Sequence, residues 1–214
     1  MRHCFFLLIL FLFTINVEGH TINYALADAA NTTVGWYYMQ LGFTHILPYG
    51  LDHILFVVGL FLLQPDALSV IKQATVFTVA HCLTLALTML GYIQPPRQAV
   101  EVVIALSILF IAIENICLNK IYWWRYLIVF LFGLIHGCGF ATVLHQTGLT
   151  PQATVWALFA FNVGVEVGQI AVIAICYMLI GKLLSNKNWY RQKIVVPISV
   201  IIGIVSVYWI IERI

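Results

Sequence analysis

Charge is what this sequence has least of. Asp, Glu, Lys and Arg together make up 8% of its 214 residues, against about 25% in ordinary soluble domains. A shortage that deep excludes a soluble globular protein. Lys and Arg exceed Asp and Glu by only two and are scattered along the chain, which excludes a basic nucleic-acid-binding face. There is no Gly-rich Lys-Ser/Thr loop and no polar stretch large enough for a nucleotide-binding domain, so ATP has nowhere to bind. The five cysteines stand singly, with no Cys-x-x-Cys pair, and give no disulfide framework. In apolar runs such residues act as small hydrophobes, although Cys82 and Cys138 flank histidines. Heptads, internal repeats and low-complexity segments are also missing.

What remains is apolar. Hydrophobic residues are 63% of the chain and the mean hydropathy is +1.01, and the apolar runs match the roughly 20 residues a membrane helix needs. The expected fold is an all-α integral membrane protein with six transmembrane helices after a cleavable N-terminal signal peptide. The spans are read at 36–63 (starting at Trp36 or Phe43 and broken near Pro48), 68–90, 98–118, 124–145, 153–183 and 194–210. Residues 1–19 have a short basic start, a brief apolar core and small residues near a cleavage point, as a signal peptide does. Residues 20–35 form a short extracytoplasmic segment, and 36–214 a single six-helix domain. Cleavage after Gly19 leaves His20 as the new N-terminus, where amine and imidazole together can chelate a metal.

Placement of Lys and Arg sets the orientation. With six spans and the mature N-terminus outside, Lys72, Lys120, Arg125, Lys182, Lys187, Arg191 and Lys193 fall on or beside cytoplasmic loops, and only Arg97 and Arg213 remain outside. The location expected is a bacterial inner membrane, multi-pass, with both mature termini outside and the lipid bilayer as the chain's first partner.

Ionisable groups inside such spans are costly and mark functional sites by default. The segment from Gly42 to Phe56 carries His45, Asp52 and His53 around a break at Pro48 and Gly50. His81 lies in the second span and His136, among glycines, in the fourth. At about 1.5 Å per residue, His81, His136 and Glu166 fall near mid-membrane, Asp52 and His53 in the outer half to middle, and His45 nearer the outer surface. Imidazole with carboxylate suits divalent Ni, Co or Zn rather than a soft copper site. The candidate metal site is therefore His45, Asp52, His53, His81 and His136. Asp52 and His53 are adjacent, so one can ligate while the other supports a ligand from behind. Taken singly, each histidine is as well explained as a tie between helices. His3 and His145 look incidental. Asn162, Glu166 and Gln169 share one helical face and form either a polar cation path or a brace. Glu114 and Asn115 offer an inner exit or an interfacial pair, and Glu101 an ion pair with Arg97.

Taken together, Gly42-Phe-x-His45, Gly50-x-Asp52-His53-x-x-Phe56, Phe77-Thr-x-Ala80-His81, Ala112-x-Glu114-Asn115, Phe132-Gly-x-x-His136-Gly-x-Gly-Phe140 and Asn162-x-Gly164-Val-Glu166-x-Gly168-Gln169 resemble the HupE/UreJ family of membrane proteins. The likeness runs from about Gly42 to Gln169. It implies an accessory role in hydrogenase or urease maturation, nickel or nickel and cobalt permeation, and metal handling by His45, Asp52, His53 and His136. The spacing from His45 to Asp52 is longer than in related His-x-Asp-His patterns, which places the chain in a divergent branch.

Two functions follow. One is a divalent-cation permease in which metal enters past His20 and His45, binds at the central residues and leaves past Glu166 or Glu114. The other is an intramembrane zinc hydrolase, with three histidines on the metal and Asp52 or Glu166 as general base. No Gly-x-Ser-x-Gly-like segment supports a serine nucleophile. A homo-oligomer is compatible with either.

Overall fold

Proline and glycine place the main break in an otherwise helical chain. The structure, a computed structural model, describes residues 31–144 and 151–214. The expected signal peptide, His20 and His145 lie outside the described residues. Helix α1 (Asn31–Ile46) runs into Leu47-Pro48-Tyr49-Gly50, and α2 (Leu51–Leu63) leaves it. The Leu47–Pro48 peptide bond is cis. Pro48 has no amide hydrogen to continue the helix, and a Cβ on Gly50 would collide with the carbonyl oxygen of His45. The two pieces therefore meet at a bend of 65°.

The remaining helices are α3 (Ala67–Met89), α4 (Arg97–Cys117), α5 (Trp124–Leu144), α6 (Pro151–Cys176) and α7 (Val196–Arg213). Helix α6 continues through a wider π-type turn, Tyr177–Gly181, into Lys182–Leu184, and a second such turn, Arg191–Val195, leads into α7. No strand occurs among the described residues. The start of α3 is set by Asp66, whose carboxylate accepts a hydrogen bond from the Ser69 amide at 2.8 Å, satisfying one of the open donors of a first turn.

Among the described residues, four helices are long and apolar enough to cross a membrane: Ala67–Met89, Arg97–Cys117, Thr154–Leu184 and Arg191–Arg213. The bent pair α1–α2 makes a fifth if it counts as one span. Within α5, Trp124–Gly139 counts as a shorter apolar helix. Exposed side chains such as Val79, Leu106, Val163, Val167 and Ile204 are aliphatic, as a lipid-facing surface requires.

Small residues decide which helices touch. Lipid tails are as apolar as leucine, so close backbone approach rather than hydrophobic exclusion holds membrane helices together. Gly133 and Gly137, one turn apart on α5, lie so close to α3 that an added Cβ would meet Phe77 O in the first case, and His81 O with the Thr84 hydroxyl in the second. Gly42 and Gly164 do the same for α1 and α6, against Phe161 O and Met39 O.

Beyond the site, the far end of α2 is tied by polar contacts. The Tyr190 hydroxyl donates to Leu62 O at 3.1 Å, and Arg191 donates to Leu118 O at 2.8 Å and Ile116 O at 2.7 Å. These contacts satisfy open carbonyls at the ends of α2 and α4. Burial pushes the Tyr190 phenol up to about 12, so it stays a donor at any physiological pH. Arg125 stands at the second residue of α5, beside the connection from α4, but its side chain turns inward. It is fully buried and faces Glu114 at 3.2 Å, itself 2% exposed. The opposite charge on the neighbouring helix explains the inward position, since a buried charge requires a partner. Asn115 likewise is no interfacial residue: its amide donates to Gly59 O at 2.8 Å.

Candidate metal centre

The bend between α1 and α2 brings the last turn of one helix against the first turn of the other. His45, at the end of α1, therefore lies beside His53, at the start of α2, with ring centroids 4.9 Å apart. Close packing of α3 on α5 through Gly133 and Gly137 adds His81 from one helix and His136 from the other. The His53 ring is 6.0 Å from that of His81 and 5.1 Å from that of His136, and His45 is 6.4 Å from His81. Four imidazoles from four helices thus cluster around His53. His53, His81 and His136 are each no more than 3% exposed.

Among the described residues, two overlapping groups have donor atoms that lie, within each group, no more than 4.8 Å apart: His45, His53 and His81, and Asp52, His53 and His136. His53 belongs to both. The Asp52 carboxylate accepts from the His53 amide at 2.8 Å and pairs with His53 Nδ1 at 3.0 Å. A carboxylate only accepts, so Nδ1 carries the hydrogen and His53 Nε2 keeps a lone pair. That nitrogen is buried and makes no hydrogen bond, as is Nδ1 of His136. Buried polar atoms normally find partners. Buried ring nitrogens without partners, in histidines whose donor atoms lie within 4.8 Å of one another, are the chemistry a divalent ion would satisfy, and the carboxylate behind His53 is the arrangement that orients a metal-binding imidazole.

The surroundings are apolar and aromatic. Phe77 stands edge-on to His136 at 4.9 Å and to His53 at 5.7 Å. Phe56 lies 5.7 Å from His136, and Phe161 stacks beside His81 at 6.5 Å. Phe56, Phe77 and Phe161 are 1% exposed or less, so the rings exclude water and strengthen any electrostatic interaction inside.

All five expected site residues, His45, Asp52, His53, His81 and His136, come together. The stripe on α6 divides. Asn162 faces His81 while its amide donates to Leu158 O at 2.7 Å. Glu166 instead accepts from the Thr75 hydroxyl at 2.7 Å, and Thr78 donates to Gln169 Oε1 at 3.0 Å. Both bonds clasp α3 to α6, which is the brace expected as one of two roles for that stripe. Glu114 is held by Arg125, two helical turns along α4 from the level of the cluster. Glu101 pairs with Arg97 at 2.6 Å. Cys82, Cys117, Cys138 and Cys176 are free thiols, and neither metal-type group contains a sulfur.

One residue at the cluster escaped sequence reasoning. Ser107 Oγ on α4 lies 3.1 Å from His136 Nε2. Its signal was available: Ser107 and Glu114 are seven residues apart and so share a helical face.

Among known proteins, the model of the HupE/UreJ protein family matches residues 21–213 of this chain. No curated protein and no solved structure matches it.

Proposed function

From the premise that this chain belongs to the HupE/UreJ family, a family of metal-related membrane proteins, we propose that it is a divalent transition-metal permease of the nickel/cobalt type. The ion is cargo. It binds at His45, Asp52, His53, His81 and His136 on its way across the membrane. The observation that supports this best is the convergence of two donor groups on His53 with open lone pairs around them. A chain of overlapping, partial ligand sets favours conduction over catalysis, because an ion can pass from one to the next without losing all its ligands at once. Asp52 orients His53 and supplies the negative charge that favours a cation in an apolar surrounding.

The proposed topology counts α1–α2 as one broken span and α5 as another, giving six. A signal peptide at 1–19 is removed, residues 20–35 lie outside, and 36–214 form one domain in the bacterial inner membrane with both mature termini outside. On that frame the turn between α1 and α2 faces outward, and metal arrives past His20 and His45. Glu114, Asn115, Asn162, Glu166 and Gln169 lie on the inward half of the route or support its walls.

The test compares purified wild type with His53→Ala. Bound Ni(II), Co(II) or Zn(II) measured by elemental analysis, and uptake into proteoliposomes, should both fall to background in the variant, because both donor groups lose their common member. Equal metal content and equal uptake in the two proteins would refute the proposal. Metal held by the wild type without passage would turn the choice toward the zinc hydrolase.

A further inference from the structure

Ser107 has one hydroxyl hydrogen and two polar neighbours. Its Oγ lies 2.7 Å from Ile104 O and 3.1 Å from His136 Nε2. A carbonyl oxygen only accepts, and two oxygens that close need a hydrogen between them. The Ser107 hydroxyl therefore donates to Ile104 O, and its lone pair faces His136. The remaining bond forms only if His136 Nε2 carries the hydrogen. Ser107 is 1% exposed, as is His136, so water does not compete for either group.

We infer that Ser107 is a positioning residue that holds His136 as the Nε2–H tautomer and so reserves Nδ1, a buried atom with no hydrogen-bond partner, for the cluster. Asp52 does the complementary thing to His53, fixing the hydrogen on Nδ1 and leaving Nε2. Neighbouring rings 5.1 Å apart are thus locked in opposite tautomers from opposite sides. One lock is a carboxylate on the ring's own helix; the other is a hydroxyl on a different helix. A serine whose only task is to tie α4 to α5 would work equally well donating to either ring nitrogen. The contact with Ile104 O removes that freedom.

This inference rests on the metal reading for its purpose, but the tautomer can be observed without metal. The experiment uses full-length protein labelled with nitrogen-15 at histidine, in lipid nanodiscs at mildly alkaline pH, with the His136 signals identified by their loss in His136→Gln. The metal-free wild type should show His136 protonated at Nε2 alone. Ser107→Ala should give a mixture of tautomers, and Ser107→Thr, which keeps the hydroxyl, should restore the single form. Titration with Ni(II) should show binding about 10- to 100-fold weaker in Ser107→Ala and recovered in Ser107→Thr. His136 protonated at Nδ1 in the wild type would overturn the inference even if no Ser107 variant folds. So would an unchanged tautomer and unchanged Ni(II) affinity in a folded Ser107→Ala. A wild type that shows the Nε2–H form yet binds no Ni(II), Co(II) or Zn(II) would defeat the proposed function while leaving Ser107's role in place.

Discussion

Replacing Gly137 by alanine adds one carbon to α5, and two effects oppose each other there. Alanine is a better helix former than glycine by up to about 1 kcal/mol. Against this, the new Cβ meets His81 O and the Thr84 hydroxyl of α3. A backbone carbonyl cannot rotate away as a side-chain tip can, so α3 and α5 must move apart by more than an ångström to reach ordinary contact. Overpacking of this kind costs about 1–3 kcal/mol, and the backbone obstacle places Gly137→Ala at the upper end. The expected net loss is about 1–2 kcal/mol. Gly203→Ala provides the control. Its Cβ would lie 3.7 Å from Leu109 Cδ1 and 3.8 Å from Ala112 Cβ, which is normal van der Waals contact, so the propensity gain of up to about 1 kcal/mol survives. Reversible unfolding in mixed micelles should rank the proteins Gly203→Ala, wild type, Gly137→Ala, from most to least stable. Separation of α3 from α5 also pulls His81 from His136, so Ni(II) binding should weaken in Gly137→Ala and not in Gly203→Ala. A stabilised Gly137→Ala with unchanged Ni(II) affinity would refute the claim that backbone contact at Gly137 builds the site.

Glu114→Gln leaves Arg125 buried without its counter-charge and should cost about 3–5 kcal/mol in the same unfolding assay, whereas Glu114→Leu combined with Arg125→Met should recover most of that loss. Asp52→Asn removes the charge behind His53 and should weaken Ni(II) binding about 10- to 100-fold by calorimetric titration; an undiminished affinity would show that His53 needs no such support. Tyr190→Phe loses the bond to Leu62 O and should reduce stability by about 1 kcal/mol with Ni(II) affinity unaltered, since the contact is at the end of α2 remote from His53.

Hydropathy was enough to outline the helices, because the cost of unsatisfied backbone in lipid leaves little alternative to a helix. The break at Pro48 and Gly50 was equally visible, since both residues act locally. Convergence was not. Residue counting gives depth along the membrane normal, but two side chains at one depth can point in opposite directions, and the rotation of each helix is fixed by contacts such as Gly137 against His81 O that span the sequence. Glu166 shows the difference: it has the right depth and the right chemistry, yet its rotation on α6 turns it toward Thr75. Arg125 sits beside its loop as expected, but counting Lys and Arg near span ends says nothing of where the side chain goes, and only the facing of α4 and α5 reveals Glu114 as the reason it is buried. Ser107 was hidden by the habit of serine in helices of bonding to its own backbone. It does so here, to Ile104 O, and that very bond dictates what it offers to His136.

The bend at Pro48 has one more consequence. His45 and His53 stand on opposite sides of a four-residue turn, Leu47 to Gly50, while His81 and His136 are set by glycine-packed helices. The four rings are therefore set by packed helices on one side and by a turn on the other. A residue gained or lost in the turn re-aims His45 and leaves the remaining rings where they are. On the proposed metal reading, a change in turn length would alter the size and shape of the coordination space without rebuilding the bundle.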